Sequence, residues 1–223
     1  PKAVKVVERT GVSPWAQIFE VSGYSKAINR AGAEAVNLDN DTHVKTKIPE
    51  ATVLKEVSIP QTYLDSNVLI NVPAMKTHVT CGVTLSLKNL LGMCSFPDLF
   101  PYHRDDLHQM MVDLYTYFKP SLNLVAGLIA MEAQGPMFGS PVPDMNTIVA
   151  GSDGVAVDAV ASAIMGFEPM EIRSTRLADL QGVGVGRLDK ITVKGVKIKE
   201  VQRHFKPAFP DIIGYTRYDG LTY

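Results

Sequence analysis

Three potential cations stand in an apolar stretch rich in small residues, Asn71–Gly92 (NVPAMKTHVTCGVTLSLKNLLG): Lys76, His78 and Lys88. Few carboxylates lie in this stretch to neutralise them, and hydroxyl and amide side chains surround them. Taken singly, Lys88 is equally explained as a solvated group at a helix end, and His78 as a hydrogen-bonded structural residue. Charges in apolar surroundings need a partner, so together the three predict a site for a small anion or polar ligand.

A strand is expected to position the first two of these side chains. The β-branched residues of Asn67–Val72 (NVLINV) are typical of a buried strand, which turns at Pro73. If strand geometry continues beyond the turn, Lys76 and His78 point to the same side because they are two residues apart.

A short helix is expected to position the third. The stretch Thr84–Leu91 is predicted to be helical and to end at Gly92, a typical C-terminal cap. On this helix Lys88 lies one turn after Thr84, and the amide of Asn89 is a candidate ligand-binding group.

Composition limits the partners. The chain has 223 residues, 22 basic and 23 acidic, so its formal charge of −1 provides no general attraction for nucleic acid or an anionic membrane. The mean hydropathy is +0.06 and no apolar run approaches the ~20 residues that span a bilayer. The first residues, PKAVKVVER, lack the apolar core of a signal peptide. These features predict a cytoplasmic protein that uses neither nucleic acid nor a membrane.

Two cysteines, Cys81 and Cys94, stand thirteen positions apart without a CxxC motif. This pattern does not support an iron–sulfur cluster held by four cysteines of this chain, or a zinc site built mainly from cysteine. A disulfide is compatible with the sequence, and two buried free thiols are the expected state.

Strands and helices alternate along the chain, which predicts an α/β fold with a mixed, mostly parallel sheet and helices on its faces. Residues 1–202 are expected to form a single domain and residues 203–223 a C-terminal surface extension. The pattern predicts helices from about Arg104 to Phe118 and from Gly154 to about Met165, a strand at Ser121–Ile129, and a final strand pair or hairpin formed by Lys190–Lys194 and Val196–Lys199.

Two aspartates are candidate binding residues at the helix that begins near Gly154. Asp158 lies inside the apolar run VAVDAVASAIMG, so it either faces water or is buried against a cation, for which Lys88 is the candidate. Asp153 is expected to cap the start of this helix, where free backbone N–H groups also offer a generic anion site.

Glu132 is a candidate general base or metal ligand because it follows the predicted strand at its carboxyl end, where ligands bind in open α/β sheets. Gly135 would let the backbone approach a ligand closely, although its ordinary meaning is a tight turn. A polar group formed by His103, Arg104 and His108 lacks the i, i+4 spacing of two zinc ligands on one helix.

These motifs together resemble those of the DUF362 family of prokaryotic proteins. The stretch NVPAMKTHVTCGVTLSLKNLLG is similar to that family's Asn-x-Pro-x-x-Lys-x-His segment, followed by Thr-x-x-x-Lys-Asn and a Gly. The likeness continues through HRDDLHQMMVDLYTYFKPSLNLVAGLIAMEAQGPMFG, GSDGVAVDAVASAIMGFEP and GVGVGRLDKITVKG, and covers about Ser22 to Gly195. In the strand that corresponds to Leu124–Gly127, members of the family have an Asp at the position where this chain has Ala126.

The resemblance implies little about activity. Some members carry a ferredoxin-like domain and bind iron–sulfur clusters, which this chain lacks the cysteines to do. Members also have a leading segment with a Lys-Pro-Asn motif, and this chain is expected to lack it by truncation, processing or divergence.

Two functions are compatible with the residues. In the first, the protein is an enzyme for a small carboxylate or phosphate: Lys76 and Lys88 hold the anion, His78 transfers protons, and Glu132 acts as a base or binds a divalent metal ion. In the second, the protein is a non-catalytic partner or cofactor carrier for an iron–sulfur redox system, and Lys88 forms an internal ion pair with Asp158.

Overall fold

The fold is a mixed α/β arrangement, as the sequence predicts. In a computed structural model, residues 3–10, 14–99 and 106–208 are described. The strands in chain order are β1 Lys5–Glu8, β2 Glu34–Asn37, β3 His43–Lys47, β4 Glu56–Pro60, β5 Ile70–Asn71, β6 Ala74–His78, β7 Gly82–Thr84, β8 Leu122–Glu132, β9 Ser140–Val142 and β10 Thr147–Gly151. The helices are α1 Trp15–Val21, α2 Tyr24–Arg30, α3 Gln61–Leu64, α4 Ser86–Asn89, α5 Phe96–Leu99, α6 Leu107–Phe118, α7 Gly154–Ile164, α8 Arg173–Leu180 and α9 Ile198–Val201.

A six-stranded mixed sheet organises the fold around β8. Its strand order is β10-β8-β6-β7, and β5 and β9 also pair with β8. Strands β5 and β6 run parallel to β8, whereas β9 and β10 run antiparallel to it and β7 runs antiparallel to β6. Two further pairs stand apart: β1 and β2 are parallel, and β3 and β4 are antiparallel.

Helix α7 covers one face of this sheet and links two apolar cores. Its Val160 packs in a core with the sheet residues Met75 and Val125. Its Val155 belongs to a second core, formed mainly by α4, α6 and the region of β4, in which Tyr115 is fully buried. Because both cores include residues of α7, the sheet and the helical layer form one packed body.

Several predicted elements have different boundaries. Thr84 ends strand β7 instead of starting a helix, and after α4 the chain continues as a 3₁₀ turn over Leu90–Met93, so Gly92 is not a helix cap. The predicted hairpin near the C-terminus is wrong: the second half of that stretch contains α9. The helix predicted from Gly154 is confirmed as α7.

The first residues of the predicted extension pack against the sheet. Phe205 and Ala208 are buried, and the Lys206 carbonyl accepts a hydrogen bond of 2.8 Å from the Ala133 N–H. Packing therefore continues past the predicted boundary at residue 202, and residues 209–223 lie outside the described part. Among the described helices, none combines the length and the apolar character needed to cross a bilayer.

Candidate functional site

Strands β6 and β7 bring Lys76 and Thr84 side by side. The two residues are register partners in an antiparallel pair, so their side chains project from the same face of the sheet. His78 lies on the same face because it follows Lys76 by two residues in β6, as the sequence predicts. The hydroxyl oxygen of Thr84 is buried and has no hydrogen-bond partner in the described structure. A polar group of this kind is available to a ligand.

Helix α4 places Lys88 near Lys76. The side chain is only partly exposed, and it forms no ion pair with a described carboxylate. Burial lowers the pKa of the Lys88 amine, a nearby Cys81 thiol counteracts this, and the positive charge of Lys76 lowers the pKa further. Two ammonium groups that disfavour each other provide strong attraction for one shared anion.

Sequence reasoning missed Glu8, the last residue of β1. Burial raises the pKa of the Glu8 carboxyl, while its hydrogen bond from the Arg9 N–H and the charge of Lys76 lower it. The residue nevertheless keeps an exposed surface. Its carboxylate therefore lies near Lys76 and is accessible to solvent. The available signal was its position at the carboxyl end of a strand, the criterion that drew attention to Glu132.

His78 has a defined structural role. It is buried, and its Nδ1 accepts hydrogen bonds from the N–H groups of Thr80 at 2.9 Å and Cys81 at 3.2 Å. These two donors occupy the Nδ1 lone pair, which assigns the proton of the neutral ring to Nε2. The imidazole therefore holds the β6–β7 turn through Nδ1, and any proton transfer by this residue has to use Nε2.

Asp158 does not pair with Lys88. Its two carboxylate oxygens accept hydrogen bonds from the N–H groups of Ser86 at 2.7 Å and Leu87 at 3.0 Å, at the start of α4. Burial raises the pKa of Asp158 to about 7 although these bonds lower it. Asp158 thus fixes the helix that carries Lys88, and the predicted ion pair is replaced by bonds to the backbone.

Asn89 joins a chain of amide hydrogen bonds that leads to the buried Asn71 and Asn123. Its side-chain N–H donates to the Asn71 side-chain oxygen at 2.8 Å, and Asn71 in turn donates to the Ser86 carbonyl at 2.9 Å and to the Asn123 side chain at 3.0 Å. These bonds connect α4 to β5 and β8. Asn89 is therefore engaged in positioning α4, and a contact with a ligand stays a prediction.

Glu132 is the last residue of β8 and lies apart from the cations. The strand partner of Lys76 is Met131, so the side chain of the next residue projects from the opposite face. Its carboxylate accepts a hydrogen bond from the Lys206 N–H at 3.0 Å and forms an ion pair with the Lys206 amine at 3.4 Å. The structure thus does not bring Glu132 together with Lys76, His78 and Lys88.

Gly135 and Asp153 make close contacts within the protein. A side chain at Gly135 would collide with the backbone of Thr77, so the close approach that this glycine permits is to β6. Asp153 caps α7, as predicted: its Oδ1 accepts hydrogen bonds from the N–H groups of Val155 at 2.8 Å and Ala156 at 3.2 Å. Its Oδ2 accepts one from the Val185 N–H at 2.9 Å. These contacts account for both residues without a ligand.

The remaining candidates for chemistry are metal-binding groups and the two cysteine thiols. In residues 3–10, 14–99 and 106–208, no three His, Cys, Asp or Glu side chains gather as a metal-binding group. His103 and Arg104 lie outside these ranges. Cys81 and Cys94 are buried free thiols, as expected, and burial raises the pKa of each to about 12. Both thiols are therefore protonated at neutral pH and are poor nucleophiles.

Comparison with known proteins agrees with the motifs. The family model described as "Domain of unknown function (DUF362)" matches residues 2–163. The chain is similar to the "Thylakoid-associated protein sll1697" of Synechocystis sp. (strain ATCC 27184 / PCC 6803 / Kazusa), with 26% identity over 173 residues, which is 75% of this chain and 49% of the relative. The chain thus spans about half the length of this curated relative. No solved structure matches it.

Proposed function

The chain belongs to the DUF362 family, and on that premise we propose that it binds a small anion, a carboxylate or phosphate, in the cleft formed by Lys76, Thr84 and Lys88. The observation that carries this proposal is the geometry of β6 and β7: Lys76 and Thr84 are register partners on one face, and the buried Thr84 hydroxyl has no hydrogen-bond partner in the described structure. The Lys88 amine lies close enough for the charge of Lys76 to lower its pKa, and no described carboxylate pairs with Lys88. A bound anion would satisfy both charges and accept a hydrogen bond from the Thr84 hydroxyl.

As an enzyme, the protein would use a different carboxylate from the one predicted. Glu8 takes the place of Glu132 as the acid–base group because its pKa responds to the charge of Lys76. A carboxyl group with a raised pKa beside a bound anion suits proton transfer to or from the carbon next to a carboxylate. His78 would take part only through Nε2, since Nδ1 is occupied by backbone N–H groups.

The alternative role, a non-catalytic module for an iron–sulfur redox system, has less support. It assigned Lys88 to an internal ion pair with Asp158, and Asp158 instead binds the N–H groups of Ser86 and Leu87. Lys88 therefore has no described carboxylate as a partner, and the anion proposed here would supply one. A divalent metal at Glu132 is also less favoured, because Lys206 already occupies that carboxylate.

The test is a thermal-shift and calorimetry screen with phosphate, sulfate, pyruvate and malonate. A ligand that binds only the folded state stabilises it by about 2.7 kcal/mol at one hundred times its dissociation constant. Lys76→Met and Lys88→Met are each expected to abolish the shift. The matched control is Lys45→Met, whose side chain is 80% exposed on β3. Equal shifts in all three variants, or no shift with any anion in the unmodified protein, would contradict the proposal.

The proposed location is the cytoplasm, in accord with the charge and hydropathy of the chain. The similar Synechocystis protein is named as thylakoid-associated, and the alternative for this chain is the same association. Cell fractionation of the tagged protein separates the two. Recovery with membranes after a wash in high salt would contradict a cytoplasmic location.

A further inference from the structure

Over β5, β10, the start of β6 and Leu122–Leu128 of β8, the described residues cover the central sheet on one face only. Side chains alternate along its strands, and those that face α7 are buried, among them Met75, Asn123 and Val125. On the other face, Ile70 is 55% exposed and Leu128 is 57% exposed, although each is a large aliphatic residue in or beside a strand centre. The two faces of the same strands therefore have opposite environments.

Strand register shows that the exposed residues form two adjacent rows across the sheet. Ala74 pairs with Ala126, which pairs with Ile148, and Leu124 pairs with Ala150. Val72 continues the second row, because β5 and β6 share one register with β8. We call the surface formed by these two rows the open face. One row consists of Val72, Leu124 and Ala150, and the other row consists of Ala74, Ala126 and Ile148.

The open face has no polar or charged side chain. Val72 is 56% exposed and Ile148 is 54% exposed. Strands that are apolar on both sides are typical of sheets covered on both faces. The two rows occupy about 14 Å along the strands and three strands occupy about 14 Å across, so the open face measures roughly 200 Å² in projection. Apolar side chains continue beyond it on β5 and β8, at Ile70 and Leu128, and a contiguous group of exposed aliphatic side chains of this kind marks an interaction site.

We propose that the open face is the interface between two copies of this chain. The pattern of large and small side chains is self-complementary: where one row has Val72, Leu124 and Ala150, the next has Ala74, Ala126 and Ile148. A two-fold axis can lie between the two rows, parallel to the sheet and perpendicular to the strands. Rotation about this axis places each row of one copy opposite the other row of the second copy. Every large side chain then faces an alanine, which allows two sheets to approach to about 10 Å.

The absence of charge also favours a second copy. A two-fold interface brings identical surfaces together, and the open face has no charge that would repel its own copy. Its area is smaller than the ~800 Å² that each partner contributes to a standard interface. The open face therefore forms the apolar centre, and exposed neighbours on the same face, Ile70 at 55% and Leu128 at 57%, extend it.

The interface would border the anion cleft. Lys76 follows Ala74 by two residues in β6 and projects from the same face. The contact with a second copy would thus reach as far as the Lys76 amine. It would also reduce the exposure of the anion cleft to water. Anion binding does not depend on this contact, so the two proposals can fail separately.

The first test is sedimentation velocity of the full chain over a range of micromolar concentrations. We expect the unmodified protein to sediment as a dimer, and Ile148→Glu and Ala126→Glu to raise the dissociation constant about tenfold or more, since each buries a carboxylate. The matched control Val21→Glu changes an 81% exposed residue of α1 and should leave the dimer intact. Circular dichroism confirms that each variant is folded.

The second test uses cysteine pairs and requires no loss of folding. Ile148→Cys and Ala150→Cys proteins are mixed and treated with a bismaleimide that reaches about 10 Å, the distance between packed sheets. Cross-linked dimers are expected from this mixture and not from Val21→Cys, and Cys81 and Cys94 are buried. A monomer at all concentrations, or a dimer that both Glu substitutions leave unchanged, would overturn the proposal.

Discussion

Replacing Asp158 with asparagine should change the way the stability of the protein depends on pH. The Asp158 side chain is buried, with only 3% of the residue exposed, and both of its oxygens accept backbone N–H groups, from Ser86 at 2.7 Å and Leu87 at 3.0 Å. Asparagine has the same shape but can accept only one of these bonds, because its NH₂ group is a donor. The lost bond should cost about 1–3 kcal/mol at every pH.

The pH-dependent part has a definite sign and size. Burial raises the pKa of Asp158 from 3.8 to about 7. Between these two values the folded protein holds a proton on Asp158 that the unfolded chain has released, so the free energy of unfolding falls as the pH rises. The contribution is fully present below about pH 4 and is lost by about pH 7, and it amounts to about 4 kcal/mol. The amide of the Asp158→Asn variant has no such titration.

The measurement is urea unfolding at half-unit steps from pH 4 to pH 7.5, followed by far-ultraviolet circular dichroism. The free energy of unfolding of the unmodified protein minus that of Asp158→Asn should fall by about 4 kcal/mol over this range. Val21→Ala, which changes an 81% exposed residue and removes no titratable group, is the control and should give a constant difference. A difference for Asp158 that stays constant or grows with pH would show that the two N–H bonds outweigh burial and keep the carboxylate ionised.

Three other predictions concern neighbouring parts of the structure. Asp113→Ala should lower the free energy of unfolding by about 3 kcal/mol or more in urea titrations, because it removes the acceptor of backbone N–H groups in the segment before β4. Gly135→Ala should lower the melting temperature by overpacking against Thr77, whereas Gly92→Ala, with no atom close to the new methyl group, should not. In calorimetry of the unmodified protein, anion affinity should weaken as the pH rises, and at a lower pH than the ordinary lysine pKa would predict, since burial lowers the pKa of Lys88.

The sequence predicted the strand face of the site correctly and its acidic partners incorrectly. The two-residue spacing of Lys76 and His78 is a local property of a strand, and β6 preserves it. The pairing of Asp158 with Lys88 rested on the assumption that a buried carboxylate needs a side-chain cation. The free N–H groups at the start of α4 supply the partner instead. Backbone donors of this kind follow from the tertiary position of a helix, and residue types do not reveal them.

The direction of the Glu132 side chain depends on the register of β8 against β6, which the sequence does not reveal. The predicted strand exists and even extends to this residue as β8. Its side chain points away from the cations because Met131, and not Glu132, is in register with Lys76. A shift by one residue reverses the face on which every side chain lies. Glu8 was overlooked for the complementary reason: β1 pairs with β2 in a separate small sheet, and only tertiary packing brings its end near Lys76.

The side chains on one face of β6 change from aliphatic to polar along the strand. Ala74, Lys76 and His78 follow one another on that face, so an aliphatic surface passes directly into a cationic one. The change coincides with a shift in the pairing of β6 and β8 between Ala74 and Lys76, where the chain of β8 takes extra residues. Such an irregularity bends a strand and redirects the side chains beyond it. Regular pairing of β6 with β8 therefore forms the open face as far as Ala74. Beyond Ala74 the pairing is irregular, and the Lys76 side chain is directed toward Thr84 and Lys88. Restoring regular register there by deleting residues of β8 should extend the apolar face at the expense of anion binding.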